Sequence, residues 1–390
     1  MAAEYVQRYL EAYADHFDLN PHIQLQTSVT LVERDSGRWK VKLSTGEIRL
    51  FDLLVASNGH YRVPRYPDVP GLDQWLKQNK AMHSAWYRRP QEFGKTVLVI
   101  GAGPSGLDIS SEMAEHAEVV IHSVTGSTPE QIGNIKRRGR VSEFRDDGQV
   151  VFEDGLVEKD IDYCILATGY EMSFPFLPDG VLRTHYPPAV PPIPKHVFNS
   201  TYSVFPLAKH IFPLSPLDFT PNSIAFMGLL IKVAPLPLVE AQARMIVHAF
   251  AHPEALDSTQ ESIDIVTRYE AILAELGGDA STKSIYERWH VFKELEQFDY
   301  RDELYRISDV SGTGKEGIEG RVVVADWEKE MYIKKGVLRK FWVDLEKKGV
   351  AEDWVKDVGK GGLQEWVDLM KKILREAEKE EVEPDEKSKL

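Results

Sequence analysis

The stretch Thr96-Val97-Leu98-Val99-Ile100-Gly101-Ala102-Gly103-Pro104-Ser105-Gly106-Leu107 constrains the fold more than any other part of the chain. Its aliphatic run reads as a strand covered on both faces, as in a parallel sheet. The run leads straight into Gly-x-Gly-x-x-Gly, and Leu107, Ile109 and Met113 then continue at helical spacing. Each glycine has its own task. Gly101 makes the tight turn, Gly103 lets backbone approach a diphosphate, and Gly106 allows the helix to lie close on the strand. The helix start supplies free N–H groups and a positive dipole end, and Ser105 lies within that first turn. A second apolar run, Val119-Val120-Ile121-His122, follows at the spacing of a βαβ unit. The stretch is therefore expected to bind a dinucleotide.

The end of that second strand bears on which one. An NAD site places Asp or Glu about 20 residues past the glycines, on the ribose 2′-hydroxyl. Here the strand ends His122-Ser123, with no acid. An imidazole and a hydroxyl tolerate a 2′-phosphate that a carboxylate would repel, so NADP is expected, with Ser123 near that phosphate. Lys136-Arg137-Arg138 are further cations, either serving the phosphate or forming a solvated face.

At 390 residues the chain has room for two domains, and its formal charge of −14 argues against a nucleic-acid partner. Its single cysteine, Cys164, lies in an apolar run and reads as a buried small hydrophobe. One cysteine cannot make an intramolecular disulfide or the redox pair of a flavin-dependent disulfide reductase. The most apolar segment, Ser223–Ile231, is too short for a membrane span and reads as core. No metal-ligand pattern stands out.

Val6, Tyr9, Leu10, Tyr13 and Phe17 recur at helical steps, predicting an amphipathic helix over 3–17. A strand is expected around Ile23–Leu31, then a meander through Trp39–Leu43 and Ile48–Leu50. Two similar strands follow, each an acid before an apolar run. Asp52-Leu53-Leu54-Val55-Ala56-Ser57 ends at Asn58-Gly59-His60, and Asp162-Tyr163-Cys164-Ile165-Leu166-Ala167 ends at Thr168-Gly169-Tyr170. Small residues at a strand end let a cofactor lie against bare backbone.

Taken in order, these features resemble the flavin-containing monooxygenase family. Phe17-Asp18-Leu19 … Val29 resembles the family's strand against which the flavin's adenine lies, and Ser57-Asn58-Gly59-His60 its first Ala-Thr-Gly-like turn. His83-Ser84-Ala85-Trp86-Tyr87 matches half of the motif Phe-x-Gly-x-x-x-His-x-x-x-Phe/Tyr, with Lys77 and Asn79 in place of its Phe and Gly. Leu166-Ala167-Thr168-Gly169-Tyr170 matches the hinge signature, and Glu240-Ala241-Gln242-Ala243-Arg244 a helix near the flavin. The resemblance covers about residues 1–305. The family's first Gly-x-Gly-x-x-Gly, which receives the FAD diphosphate, has no counterpart before Gly101. A member truncated at its N-terminus, lacking the first FAD-binding βαβ, is the expectation.

The resemblance implies an α/β fold with two dinucleotide-binding domains, doubly wound, with an inserted NADP-binding domain and a helical C-terminal part. The expected boundaries are a partial FAD-binding domain over 1–90, the NADP-binding domain over 91–170, a return of the FAD-binding domain over 171–255, helices over 256–375 and an acidic disordered tail over 376–390. It implies FAD and NADP as cofactors, with Gly101, Gly103, Ser105, Gly106 and Ser123 on NADP and Val29, Asn58, Gly59, Thr168 and Gly169 on the flavin side. His83 and Tyr87 read as structural. The implied activity is an N,N-dimethylaniline-monooxygenase-like one: NADPH reduces FAD, and a C4a-hydroperoxyflavin formed with dioxygen oxygenates a soft nitrogen or sulfur of a small molecule. Two alternatives stay open, a catalytically inactive NADP-binding remnant and a Baeyer–Villiger or N-hydroxylating flavoenzyme on the same scaffold. On the helix, Glu240 and Arg244 read as a surface ion pair. The terminal Ser388-Lys389-Leu390 is a peroxisomal address, implying an import receptor as partner and the peroxisome, or else the cytoplasm, as location.

Overall fold

The computed structural model describes residues 3–214, 221–309 and 324–387. They form two compact units: residues 1–57 with 175–390, and residues 58–174, a unit inserted in the sequence of the first.

The first unit opens with α1 (Ala3–His16), followed by a three-stranded antiparallel meander, β1 (Val29–Asp35), β2 (Arg38–Leu43) and β3 (Ile48–Phe51). Ile23 and Leu25, expected at the start of a strand, lie in irregular chain, and β1 begins only at Val29. Val32, Trp39, Val41 and Leu43 turn inward from β1 and β2, while every residue of β3 is exposed. The fully buried Trp39 donates its indole N–H to the Ser223 carbonyl at 2.7 Å. The short β4 (Leu54–Ala56) comes next.

In the second unit the glycine-rich stretch lies in a six-stranded sheet. Its elements are β5 (Val63–Pro64), α2 (Leu72–Lys77), β6 (Ala81–His83), β7 (Thr96–Ile100), α3 (Pro104–Met113), β8 (Val119–Ser123), β9 (Glu130–Ile132), β10 (Ile135–Arg138), a small sheet of β11 (Val141–Phe144), β12 (Val150–Phe152) and β13 (Val157–Glu158), then β14 (Tyr163–Leu166) and β15 (Tyr170–Glu171). The large sheet runs β6-β14-β7-β8-β10-β9, parallel except where β9 returns against β10. Val97, Leu98 and Val99 are fully buried, as a strand with partners on both edges and cover on both faces requires. Asp162 accepts the N–H groups of Lys95 and Thr96 at 2.7 and 2.9 Å, fixing where β7 begins. The unit starts at 58, not at the expected 91, because β6 is a strand of this sheet and Leu72 and Trp75 of α2 share a core with Leu98 and Ile121. Cys164 sits in that core, fully buried.

The first unit then resumes. Short two-residue strands, β16 (Arg183–Thr184), β17 (Phe198–Asn199), β18 (Val204–Phe205), β19 (Leu207–Ala208) and β20 (Phe212–Pro213), thread the proline-rich passage. β21 (Ile224–Phe226) pairs parallel with β4, in a sheet of two strands. The doubly wound sheet expected around β4 is thus present as two parallel strands among the described residues. Helices α4 (Pro235–Ala251), α5 (Ser258–Glu275), α6 (Thr282–Arg288) and α7 (Glu296–Asp309) close over β19–β21 around Phe205, Phe212, Met245, Tyr269, Tyr286 and Trp289. They belong to the first unit's main core, so no boundary falls at 256. Ser308–Gly320, which reads from its sequence as a loop or linker, falls mostly outside the described residues. A smaller helical layer, α8 (Asp326–Ile333), α9 (Lys335–Lys348), α10 (Ala351–Val355) and α11 (Leu363–Lys387), packs around Phe341, Leu345, Leu369 and Ile373. The tail expected to be disordered from 376 is helical to Lys387. Ala377 reaches into the helical core, and Glu376 and Glu378 pair with Lys379 and Lys334. Ser388-Lys389-Leu390 lies outside the described residues.

Candidate dinucleotide-binding site

At the carboxyl edge of the second unit's sheet, β7 leaves Ile100 and turns at Gly101, whose φ of +123° is open to glycine alone. A Cβ there would stand 2.2 Å from the Ala167 carbonyl oxygen, and one on Gly106 would stand 1.9 Å from that of Gly101. These glycines therefore bring strand, turn and helix into contact. Gly103 differs: it has ordinary extended backbone at φ −72°, ψ 175°, and nothing lies within 4 Å of where its Cβ would be. Its bare face opens outward at the start of α3. That start has Pro104 as the first helical residue, no side-chain cap and no acid in the first turn. The free N–H groups around Ser105 are left for an anion, the arrangement a dinucleotide diphosphate needs.

The turn is stitched to β8. Gly101 N–H donates to the Ser123 carbonyl at 3.0 Å, and the His122 ring donates from Nε2 to the Gly101 carbonyl at 2.8 Å. A carbonyl only accepts, so Nε2 carries the proton, and burial pushes this imidazole's pKa down. The Ser123 hydroxyl was expected beside a 2′-phosphate. It is instead buried and donates to the Gly139 carbonyl at 2.8 Å. Both residues that end β8 are committed to holding the turn and its neighbour strand. The cations stand closer than the sequence could say: β10 lies directly against β8, with Arg138 in register with Ser123. Lys136 and Arg138 converge on Glu158, two positive charges on one carboxylate, while Arg137 faces Glu130 at 3.6 Å. One net positive charge thus remains beside the end of β8.

On the other flank, β14 delivers Thr168-Gly169-Tyr170. Arg65, which sequence reasoning passed over, clasps this turn. Its N–H donates to the Gly169 carbonyl at 3.0 Å, its guanidinium to the Tyr170 carbonyl at 3.1 Å, and its own carbonyl accepts the Thr168 hydroxyl. The clasp follows from the pairing of β5 with β15, a contact that no local pattern announces. Asn58 donates to the Ser173 carbonyl at 2.9 Å. Gly59 and Gly169 both hold positive φ with open space at their missing Cβ. His83, at the end of β6, accepts the Ala85 N–H on Nδ1 at 3.0 Å, and Tyr87 donates to Glu112 at 2.8 Å. Val29, in the first unit, is part-exposed at the start of β1.

Two residues of the first unit went unrecognised as partners. Gly228 follows β21 at positive φ, and its N–H is held by Gln242 on α4. The sequence shows that Glu240, Gln242 and Arg244 spread around the helix axis, and they do. Gln242 is fully buried, while Glu240 and Arg244 form an exposed i,i+4 pair at 3.2 Å. Such pairs are worth about 0.3–0.5 kcal/mol. Among the described residues no helix is long and apolar enough to cross a membrane.

The flavin-binding monooxygenase-like family model matches residues 1–130 and 127–298. The chain belongs to this family. FAD and NADP are the cofactors that come with membership, and the open helix start at Gly103 fits a dinucleotide on the geometry above. The chain is 30% identical over 311 residues to the flavin-containing monooxygenase FMO GS-OX-like 7 of Arabidopsis thaliana, covering 73% of this chain and 61% of that protein. It is 30% identical over 280 residues to FMO GS-OX5 of the same plant, covering 68% and 56%. The chain thus spans 56–61% of the length of these two relatives. Among solved structures, S-allyl-L-cysteine S-oxygenase from Allium sativum aligns with a TM-score of 0.66 at 28% identity, over 86% of this chain and 71% of that one. Tmm from Pelagibacter sp. strain HTCC7211 shares the fold, with a TM-score of 0.60 at 21% identity over 78% and 64%.

Proposed function

We propose that this protein is an NADPH-using, FAD-dependent monooxygenase that transfers oxygen to a nucleophilic sulfur, or a nitrogen, of a small molecule. The observation that carries the reading is the turn from Gly101 to Gly106, tight at both ends and bare at Gly103, in a chain that belongs to the flavin-binding monooxygenase-like family. Sulfur is placed first because the S-oxygenase from Allium sativum is the better matched of the two solved relatives cited.

Gly101, Gly103, Ser105 and Gly106 would hold the NADP diphosphate, and Lys136 and Arg138 would offset the charge of a 2′-phosphate. Val29, Asn58, Gly59, Thr168 and Gly169 would line the flavin side. When bound, the two cofactors supply hydride transfer and oxygen activation. The chain's own residues bind, orient and exclude water, so no acid–base side chain is required of them. Arg65 keeps the Thr168–Tyr170 turn in place, and His122 keeps Gly101 in place. The tail Ser388-Lys389-Leu390 supports import into peroxisomes through its receptor.

One observation favours a second reading. Among the described residues β4 pairs with β21 alone, which offers a flavin a narrow sheet edge and suits an NADP-binding protein without oxygenase activity. Purified protein separates the two. A yellow preparation that consumes NADPH and dioxygen and converts a thioether to its sulfoxide supports the monooxygenase. Colourless protein that binds NADPH and makes no sulfoxide supports the inactive module.

A further inference from the structure

A directional chain of hydrogen bonds runs through the first unit's core to the turn after β21. At one end, Ala208-Lys209-His210-Ile211 makes a tight hairpin turn between β19 and β20, closed by Ile211 N–H on the Ala208 carbonyl at 2.9 Å. Both central residues, Lys209 and His210, hold left-handed φ values of +48° and +56°. Side chains pay about 1–2 kcal/mol per residue there, so surrounding contacts must enforce the turn. Lys209 supplies them. Its buried ammonium meets Glu261, Asp264 and Glu303 at 2.9, 3.1 and 2.7 Å, and its N–H donates to Glu261 at 3.2 Å.

This enforced turn presents the Lys209 carbonyl to Tyr300, whose hydroxyl donates to it at 2.7 Å. With its proton spent, the Tyr300 oxygen can only accept, and it takes the Gln242 amide NH2 at 3.0 Å. The Gln242 amide is thereby oriented. Its carbonyl oxygen, not its NH2, faces the Gly228 N–H at 2.9 Å. Gln242 is fully buried and Tyr300 nearly so, which removes water as a substitute partner. Gly228 lies just past the carboxyl end of β21, level with the end of β4, since Met227 N–H donates to the Ala56 carbonyl at 3.0 Å. Ligands of α/β sheets gather at that edge.

We propose that Tyr300 is a positioning residue for the flavin-side turn at Gly228, acting through the amide of Gln242 and anchored by the Lys209 carbonyl. The inference rests on the flavin reading given above. Without the Tyr300 hydroxyl, the Gln242 amide loses the partner that fixes its sense. One of its two orientations then sets NH2 against the Gly228 N–H, donor against donor.

The test compares Tyr300→Phe, which deletes one hydroxyl and keeps the ring, with Lys209→Met, which breaks the ion cluster but keeps the carbonyl. Amide hydrogen exchange followed by mass spectrometry reads residues 227–231, and titration with FAD reads affinity. The expected result in Tyr300→Phe is at least tenfold faster exchange at 227–231, with 224–226 unchanged, and about tenfold weaker FAD binding. NADPH affinity stays within twofold. Lys209→Met, which removes the contacts that enforce the hairpin turn, lowers the melting temperature and gives a smaller rise in exchange at 227–231. Wild-type exchange at 227–231 in Tyr300→Phe, or faster exchange spread evenly over the first unit, overturns the inference. Wild-type protein that takes up no FAD overturns the flavin reading, and the exchange result still decides whether Tyr300 sets the turn.

Discussion

Gly103 and Gly106 are three residues apart and make opposite predictions. A methyl on Gly106 would fall 1.9 Å from the Gly101 carbonyl oxygen, against backbone that cannot retreat without unpacking α3 from β7. Gly106→Ala is expected to destabilise the second unit by about 1–3 kcal/mol, the usual cost of overpacking, seen as a lower melting temperature before any ligand is added. A methyl on Gly103 meets only open space, so Gly103→Ala should melt within a degree or two of wild type. It should nonetheless bind NADPH at least tenfold more weakly, since the methyl takes the room a diphosphate needs. A titratable pair carries the next prediction. His290 accepts the Val204 N–H on Nε2, so its proton sits on Nδ1 and is donated to His210 Nδ1 at 3.0 Å. Burial, and then the charges of Arg268 and Lys209, push the His210 pKa well below its ordinary 6.5. Above that value both folded and unfolded chains hold His210 neutral; below it, the unfolded chain takes a proton that the folded one refuses. Stability contributed by His210 is therefore full above about pH 6.5 and falls by about 1.4 kcal/mol per unit beneath it. His210→Asn keeps an acceptor for His290 and removes the titration. Urea unfolding between pH 7 and 5 should show a slope shallower by about that amount than in wild type.

Among the elements, α1 stands apart. Its apolar residues Tyr5, Val6, Tyr9, Leu10 and Tyr13 are all exposed, so its side chains contribute little to the described core. A helix of this length without packing is marginal in water. Leu10→Glu is expected to change the melting temperature by less than a degree, whereas Trp39→Ala, which empties a fully buried site and removes the indole N–H from the Ser223 carbonyl, should cost about 3–5 kcal/mol. Differential scanning calorimetry of the two variants checks both. α1 also marks how far a sequence pattern reaches: the spacing of Val6, Tyr9, Leu10 and Tyr13 gives the helix correctly but says nothing of what covers it. The strand–glycine–helix unit was fully legible, because buried aliphatics and a glycine turn are local signals. The strand expected at Ile23 and Leu25 was not, since two alternating apolar residues in an exposed segment have no face to bury. The place of the Ser123 hydroxyl differs from expectation for a related reason. Residue type suggested a ligand contact, and only the pairing of β8 with β10 shows its hydroxyl turned to Gly139.

At the scale of the whole molecule, the family resemblance implied a unit inserted into another, while its start at residue 58 was not legible. That boundary depends on β6 joining the β14 edge of the sheet, a pairing between residues far apart in sequence. Arg65, Gln242 and Tyr300 were invisible for the same reason, each owing its role to a partner on a distant element. What the sequence did carry was the family: ordered motifs over about residues 1–305, matched by a family model reaching residue 298. On the proposed function, the second unit's glycine turn holds the diphosphate of NADP. Thermal unfolding of the wild-type chain with increasing NADPH, beside an equal series with NADH, tests it most directly. A ligand at a hundred times its dissociation constant stabilises the state it binds by about 2.7 kcal/mol. The expected result is a saturable rise in melting temperature with NADPH and a much weaker one with NADH. A melting temperature indifferent to NADPH, or one raised equally by both, would contradict it.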